Sequence, residues 1–364
     1  MRLAMHGVRQ ITDEQARYFH QLGVKDVNLN QYWASSPGDH LTAGGLLDLK
    51  HRVEDHGFSV PVLENIPIAH YDKIFLGLPG RDEQIENLKK TMHAIGRSDI
   101  PIFGFNFMPS GVWRTNLPLD APKRPYDYHE ASPEFGKQRL PPQVARGGAA
   151  VSTFDAELVR DAPPTFGRVY EEAEVWKAFT DFIHTVMPIA EEYGLKVSIH
   201  PDDPVIPSIG GVARPFRRLA AFERAVEIAD SDLFGVTFCL GNWTLMGLDE
   251  MRKGLRLFGE AGRIHYVHFQ AVRGTSEHFE EMFFDESDIF PEVVRTLKQL
   301  KFDGVLVPAH APVMGRTSGP FEDPWQQDHE GLTHAVGYMQ GLLRGILDEP
   351  EISTRDRSPP EKRP

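Results

Sequence analysis

The chain has 364 residues, a formal net charge of −13 and a single cysteine. Because the chain is acidic and has no basic cluster, we do not expect it to bind nucleic acid. No apolar run is long enough for a signal peptide or a membrane span. We therefore expect a soluble cytoplasmic protein, since a chain that cannot form an internal disulfide suits a reducing compartment.

The first half of the chain alternates short apolar runs with segments of helical spacing. Strands are predicted at 2–6, 26–30, 60–64 and 101–107. Helices are predicted at 13–21, 43–56 and 82–95. This alternation indicates parallel strands that are joined by crossover helices.

The pattern breaks between residues 108 and 167, in a segment rich in proline, glycine and charge. An insertion of this length is usually either a functional lid or a disordered linker. Trp113, Arg114, Tyr126 and Tyr128 favour the lid, because such side chains are typical of binding surfaces. Trp113 and Arg114 are therefore candidate substrate-binding residues.

The second half resumes the alternation and brings the number of predicted strands to eight. Strands are predicted at 196–199, 235–239, 264–268 and 304–310. Helices are predicted at 171–193, 216–228, 248–258, 290–300 and 332–347. Eight parallel strands with intervening helices indicate an α/β fold of the closed (β/α)8 TIM barrel type, in which active sites lie at the C-terminal strand ends. We predict a single TIM-barrel domain over residues 1–350 and a disordered tail at 351–364.

Four consecutive predicted strands end on residues that bind metals or carry protons: His200, Cys239, His268 and His310. In a barrel these side chains would project into the same mouth. Imidazole and thiolate suit divalent cations such as Zn, Mn, Fe or Co. The alternative is that each histidine is hydrogen-bonded separately and that Cys239 is a small core residue. Four such endings in succession favour a shared metal site.

Polar residues at other strand ends could supply the remaining chemistry. Asp202 and Asp203 either stabilise a proline-flanked turn or act near the substrate, as acceptors that orient a ligand histidine or as a base. Glu64 ends the third strand and would point into the same mouth, where an unpaired buried carboxylate is costly. Asn106, at the end of the fourth strand, could hydrogen-bond substrate hydroxyls.

Seven short segments carry a resemblance to a known family. They are VLENIPI at 62–68, ENLKKT at 86–91, FNFMP at 105–109, WRTNL at 113–117, IHPDDP at 199–204, TFCLG at 237–241 and HYVHF at 265–269. In these segments, which span nearly the whole length, the chain resembles the mannonate dehydratase family. The resemblance implies a barrel related to that of xylose isomerase.

The resemblance also implies an activity and a set of site residues. Members of that family remove water from D-mannonate, which gives 2-keto-3-deoxy-D-gluconate, and bind Mn(II) or a similar ion. By position, the metal ligands here would be His200, Cys239 and His268, and His310 would act as an acid or base. Relatives form dimers or larger assemblies, so the resemblance implies a homo-oligomer.

The chain departs from the family pattern at three places. An aspartate that serves as the family's fourth ligand is replaced by Ala309. A family tyrosine has no counterpart in the segment Gly331-Leu332-Thr333, and a family arginine after the strand-seven histidine is Gln270. These changes fall where proton transfer and carboxylate recognition would occur.

Three functions remain open at this point. The first is a metal-dependent hydro-lyase that dehydrates a sugar acid such as D-mannonate, in which His310 moves a proton with help from Glu64 or Asp203. The second is a divergent isomerase, epimerase or lyase that acts on another carbohydrate. The third is an inactive sugar-binding paralogue. Dehydration beside a carboxylate needs a base, an acid and a positive centre, and the four strand endings favour the first function.

Overall fold

Eight parallel strands close into a barrel in the computed structural model, which describes residues 1–31, 38–115, 143–314 and 329–348. The strands are β1 (Arg2–Val8), β2 (Asp26–Asn30), β3 (Val62–Glu64), β4 (Ile102–Phe105), β5 (Lys196–Ile199), β6 (Phe234–Cys239), β7 (Ile264–Phe269) and β8 (Val305–Pro308). They follow one another in chain order, and β8 closes the barrel by pairing with β1. The predicted TIM barrel is confirmed.

Helices connect these strands. They are α1 (Asp13–Gln21), α2 (Ala43–Asp55), α3 (Asp72–Leu76), α4 (Arg81–Arg97), α5 (Glu172–Tyr193), α6 (Leu219–Ala229), α7 (Leu240–Leu245), α8 (Leu248–Glu260), α9 (Phe290–Gln299) and α10 (His329–Leu347). The longest, α5, ends at Gly194, whose φ of 65° is a left-handed conformation that glycine adopts at little cost. Within the described ranges, no helix combines the length and the apolar character needed to cross a bilayer.

The predicted elements are all present, with ends that differ by a few residues. The sequence pattern does not reveal α3 or α7. Helix α3 has only five residues, too few for a helical period to show. Helix α7 begins directly after β6, with Cys239 as its N-terminal flanking residue, so no turn signal separates the two elements.

The barrel interior is filled by a small apolar cluster of its own. This cluster comprises Ala4, Val62, Ile102, Tyr266, Val305 and Val307. The Tyr266 side chain reaches across to β4, where a Cβ on Gly104 would collide with the tyrosine hydroxyl. Because alternate residues of a strand share one face, Glu64 and His268 follow Val62 and Tyr266 towards the C-terminal strand ends. The interior therefore becomes polar at the mouth.

The segment inserted between β4 and α5 is partly described, at 106–115 and 143–171. Thr153–Asp155 pairs antiparallel with His278–Glu281, which in turn pairs with Val272–Gly274. This three-stranded sheet joins the insertion to the loop after β7, which the sequence pattern indicates only as a polar stretch. Tyr126 and Tyr128 lie outside the described residues, as does the predicted tail. The lid function of 108–167 stays a prediction.

Candidate metal and catalytic site

The ends of three neighbouring strands bring His200, Cys239 and His268 together. His200 follows β5, while Cys239 in β6 lies opposite His268 in β7. One ligand atom from each side chain lies within 4.8 Å of the other two, and all three residues are buried. The structure thus places the three predicted metal ligands in one cluster.

Burial favours the neutral form of both histidines of this cluster, which is the form that binds metal. His200 Nδ1 is 2.7 Å from the Pro201 carbonyl oxygen, to which it donates, so Nε2 is the nitrogen with a free lone pair. Burial, reinforced by the neighbouring His268, lowers the pKa of His200 to about 4. Burial also lowers the pKa of His268, although Glu64 opposes that change.

The Cys239 thiol is hydrogen-bonded on both sides. It donates to Gln270 Oε1 at 3.2 Å, and Asn242 Nδ2 donates to Sγ at 3.6 Å. Burial raises the pKa of this thiol above its ordinary value. A bound divalent ion would displace the thiol proton outright, because coordinating sulfur is a thiolate. Asn242 is then placed to donate to that thiolate.

Glu64 is a buried carboxylate between two histidines. Its Oε2 is 3.0 Å from His6 Nδ1, and its Oε1 is 3.3 Å from His268 Nε2. Burial raises the pKa of Glu64, but His268 and His6 outweigh it and hold that pKa well below its ordinary value. These three residues form a second group whose ligand atoms lie within 4.8 Å. Sequence reasoning overlooks His6, although it too ends an apolar run.

A buried arginine joins two carboxylates in the same region. Arg114 Nη1 and Nη2 bind Asp203 Oδ1 and Oδ2 at 2.6 and 2.9 Å, and Nη2 also binds Glu281 Oε1 at 2.9 Å. Burial raises the pKa of Asp203, but the Arg114 charge outweighs it and lowers that pKa. The predicted catalytic role of Asp203 and the predicted substrate-binding role of Arg114 stay predictions. In the structure the two residues bind each other.

His310 is paired with Glu281, a residue that sequence reasoning misses. His310 Nδ1 lies 2.9 Å from Glu281 Oε1, and the imidazole is 35% exposed. Burial raises the pKa of Glu281, but His310 and Arg114 outweigh it and hold that pKa at about 2. His310 also has a φ of 56°, a left-handed conformation uncommon outside glycine and often found at functional sites.

Gln270 links this pair to the metal cluster. Its Nε2 donates to Glu281 Oε1 at 3.0 Å, while its Oε1 accepts from the Cys239 thiol. A side chain on Gly241 would collide with Gln270, so the backbone of α7 packs directly against this amide. The candidate acid or base and the candidate metal ligands therefore belong to one hydrogen-bonded arrangement.

The remaining predicted substrate-binding residues lie in different surroundings. Asn106 Oδ1 is buried and has no hydrogen-bond partner among the described residues, so it can accept from a substrate hydroxyl. Asp202 accepts from the Phe216 backbone N–H at 2.7 Å, and burial raises its pKa to about 7 although Arg214 opposes the rise.

The hydrogen bond between Asp202 and Phe216 stabilises the loop after β5. The structure therefore favours the turn-stabilising role of Asp202 over a role near the substrate. Trp113 Nε1 donates to the Ser110 carbonyl, and its ring lies in a second hydrophobic cluster with Phe154 and Phe279. The substrate-binding roles of Asn106, Asp202 and Trp113 stay predictions.

Replacing Arg114 with methionine is expected to lower the free energy of unfolding by about 3–5 kcal/mol, because two buried carboxylates lose their shared cation. Urea unfolding followed by circular dichroism measures this loss. Arg252→Met is the matched control: its two bonds to Glu292 are 2.7 and 2.9 Å, but the side chains are 45% and 42% exposed. We expect the control to lose less than about 1 kcal/mol. Equal losses in the two variants would contradict the buried network.

The fold and the site together define a (β/α)8 barrel with candidate metal ligands at the C-terminal strand ends. Mannonate dehydratase from Streptococcus suis serotype 2 has the same fold, with a TM-score of 0.77 and 23% identity over 95% of each chain. D-psicose 3-epimerase from Clostridium cellulolyticum H10 shares the barrel, with a TM-score of 0.56 and 12% identity over 95% of this chain and 99% of the epimerase. At these identities the likeness shows the fold.

Sequence comparison gives the family. The D-mannonate dehydratase (UxuA) family model matches residues 7–347. Mannonate dehydratase of Thermotoga maritima is 31% identical over 280 residues, which cover 73% of this chain and 76% of that protein. Mannonate dehydratase 2 of Halalkalibacterium halodurans is 29% identical over 286 residues, which cover 75% and 80%. The chain belongs to the D-mannonate dehydratase family, and the resemblance inferred from its sequence is confirmed.

Proposed function

We propose that this protein is a metal-dependent hydro-lyase that removes water from D-mannonate and yields 2-keto-3-deoxy-D-gluconate. The observation that carries the proposal is the hydrogen-bonded link from His310, through Glu281 and Gln270, to a buried histidine–cysteine–histidine cluster, in a chain of the dehydratase family. A metal cluster and an acid or base are the two parts that dehydration beside a carboxylate needs.

The residues of the cluster fit a divalent ion. His200, Cys239 and His268 offer two imidazoles and one sulfur, and their ligand atoms lie within 4.8 Å of one another. The ion, when bound, supplies the positive charge that stabilises negative charge on the substrate carboxylate. We propose Mn(II), as the family resemblance implies, with Zn, Co and Fe as the alternatives that suit the same donors.

His310 is the residue that we propose to move a proton. Glu281 holds Nδ1, which leaves Nε2 of this partly exposed ring for the substrate. Dehydration takes a proton from C2 and adds one to the departing C3 hydroxyl, and an imidazole can serve in either direction. Glu281 keeps the orientation and the tautomer of the ring. Asn106 and Asp203 complete the polar surroundings, with Asp203 fixed by Arg114.

Metal-loaded protein is expected to convert D-mannonate into a 2-keto-3-deoxy sugar acid, observed by proton NMR. In D₂O the product should carry one deuterium at C3, because the enol formed by water loss takes a solvent proton at that carbon. Protein stripped of metal by a chelator is the control and should be inactive until an ion is restored. Absence of this product with Mn, Co, Zn and Fe in turn would contradict the proposed function.

We also propose that the protein works in the cytoplasm as a homo-oligomer, without a nucleic-acid or membrane partner. The buried single thiol of Cys239 suits a reducing compartment. Self-association rests on the family resemblance, and light scattering of the purified chain measures it.

A further inference from the structure

We propose that the opposite end of the barrel, where the strands begin, carries a second ligand site that binds the phosphate group of a small molecule. A cavity of about 400 Å³ lies at this end. Its lining includes the first residues of five strands: Arg2, Ile102, Lys196, Ile264 and Val305. The site is independent of the proposed activity, because active sites of this fold lie at the other end of the strands.

The apolar cluster inside the barrel separates this cavity from the metal cluster. Ile102 and Val305 line the cavity and also belong to that apolar cluster. His265, in the lining, and His268, in the metal cluster, are both in β7 and are three residues apart, which is about 10 Å along a strand. The fully buried ring of Tyr266 comes between them in the sequence of β7. A ligand in the cavity would thus contact residues that take no part in the proposed reaction.

His265 is a buried polar side chain that lines the cavity and has no function in the site at the mouth. It is 3% exposed, and neither ring nitrogen makes a hydrogen bond of normal geometry within the described residues. Gly235 faces the ring, and a Cβ at that position would lie 2.7 Å from His265 Nε2. A buried polar group without a partner is costly. Because a neutral imidazole carries one N–H donor, His265 can donate to an oxygen of a bound ligand.

The surroundings of His265 are positively charged. Burial, reinforced by the charges of Lys196 and Arg263, lowers the pKa of His265 to about 3, although a contact with the Val197 backbone opposes the change. A positive potential in a concave site attracts anions. The ligand that suits this cavity is therefore an anion.

The charged residues of the lining support the same conclusion. Lys196 and Lys301 both line the cavity, and neither has a carboxylate partner in the described part of the chain. Arg2 is matched by Asp26, whose carboxylate lies at 3.0 Å. Asp303 is the one acidic residue among the described residues of the lining. Two lysines against one carboxylate leave a positive excess, in a chain whose formal net charge is −13.

The type and the placement of the donors favour a phosphate group. Lysine binds phosphate as a compact point charge with three donors. Lys196 begins β5, His265 lies in β7 and Lys301 follows α9, so the three donors come from three different elements. Such an arrangement suits a tetrahedral group with several oxygens. The cavity volume falls in the range of small-molecule sites, which leaves room for an organic part attached to the phosphate.

Titration calorimetry of the metal-loaded full chain tests the site with D-glucose 6-phosphate, inorganic phosphate and D-glucose as probes. We expect a dissociation constant below about 1 mM for at least one of the two phosphates and no binding of D-glucose at the same concentrations. Similar affinities for the two phosphates would assign the site to the free ion. A sugar phosphate that binds more than about tenfold tighter would assign it to a phosphorylated metabolite. Dissociation constants above about 1 mM for both would overturn the proposal.

Lysine variants place the bound phosphate in the molecule. Lys196→Met and Lys301→Asn should each weaken phosphate binding more than about tenfold, or about 1.4 kcal/mol. Asparagine is chosen at position 301 because it tolerates the left-handed φ of 56°. Lys253→Met is the matched control, since Lys253 is exposed on α8 and is not part of the lining, and its affinity should stay within about twofold of wild type. Wild-type affinity in Lys196→Met would show that phosphate binds elsewhere, such as on the metal ion, and would overturn the proposal.

Histidine variants test the buried donor. His265→Leu removes the N–H and should weaken phosphate binding more than about tenfold, whereas His265→Gln offers an amide N–H and should stay within about threefold of wild type. Wild-type affinity in a folded His265→Leu variant would exclude the role of this histidine. If the histidine variants do not fold, the lysine variants decide, because Lys196 and Lys301 are exposed. Turnover of D-mannonate by Lys196→Met should equal that of wild type, and absence of turnover in both proteins would leave the phosphate result unaffected.

Discussion

Replacing His310 with asparagine is expected to lower kcat on D-mannonate by about 10²–10⁴, the usual contribution of a positioned acid or base. Metal content should not change, because His310 is bound to Glu281 and lies outside the histidine–cysteine–histidine cluster. Asparagine is the suitable replacement because it tolerates the left-handed φ of 56° at this position. Steady-state kinetics and metal analysis of the same preparation measure both quantities.

The matched control for this variant is His278→Asn. His278 also faces a carboxylate, Asp155 at 3.7 Å, but the histidine side chain is 71% exposed on the neighbouring sheet. A surface substitution of this kind changes the free energy of unfolding by about 0.5 kcal/mol or less. Because the variant stays folded and His278 has no proposed part in the reaction, kcat should stay within roughly twofold of wild type. A fall of less than tenfold for His310→Asn would remove His310 from the reaction.

Replacing Cys239 with serine is expected to weaken metal binding by more than about 100-fold and to abolish turnover at limiting metal. A serine hydroxyl stays protonated at neutral pH, whereas the thiol becomes a thiolate on the ion. Cys239 is the single cysteine of the chain, so the sulfur-to-cobalt absorption band of cobalt-loaded protein can come from no other residue. The band should be absent from Cys239→Ser.

Asn242→Ala is the control for the cysteine variant. It removes the amide that donates to Cys239 Sγ at 3.6 Å and leaves the sulfur in place. The absorption band should persist, with an affinity loss of about 10–100-fold that is typical of groups around a ligand. A cobalt band of wild-type intensity in Cys239→Ser would show that the sulfur does not bind metal.

The barrel and the principal metal cluster are predictable from sequence because both depend on local patterns. Apolar runs and helical spacing alternate regularly, and parallel strands place their C-terminal ends at one mouth. His200, Cys239 and His268 end or follow such runs, so their approach follows from strand order alone. His6 ends the first predicted strand, 2–6, in the same way, and the same argument applied to that strand would have found it.

The contacts of Arg114 with Asp203 and Glu281 join residues that are far apart in the sequence. No local sequence pattern reveals them. Arg114 and Glu281 are 167 positions apart, and Arg114 and Asp203 are 89 apart. Glu281 lies in a short strand whose alternation is hidden among charged residues, and its partner strand belongs to the insertion before α5. Sequence reasoning therefore predicts Arg114 as a free substrate-binding cation, while the structure pairs it with two carboxylates.

The most direct measurement of the site is anomalous X-ray diffraction from crystals of manganese-loaded protein, recorded at the manganese absorption edge. We expect one strong peak within about 2.0–2.4 Å of ligand atoms from His200, Cys239 and His268. A peak elsewhere in the molecule, or none in protein that turns over D-mannonate with manganese, would contradict the site.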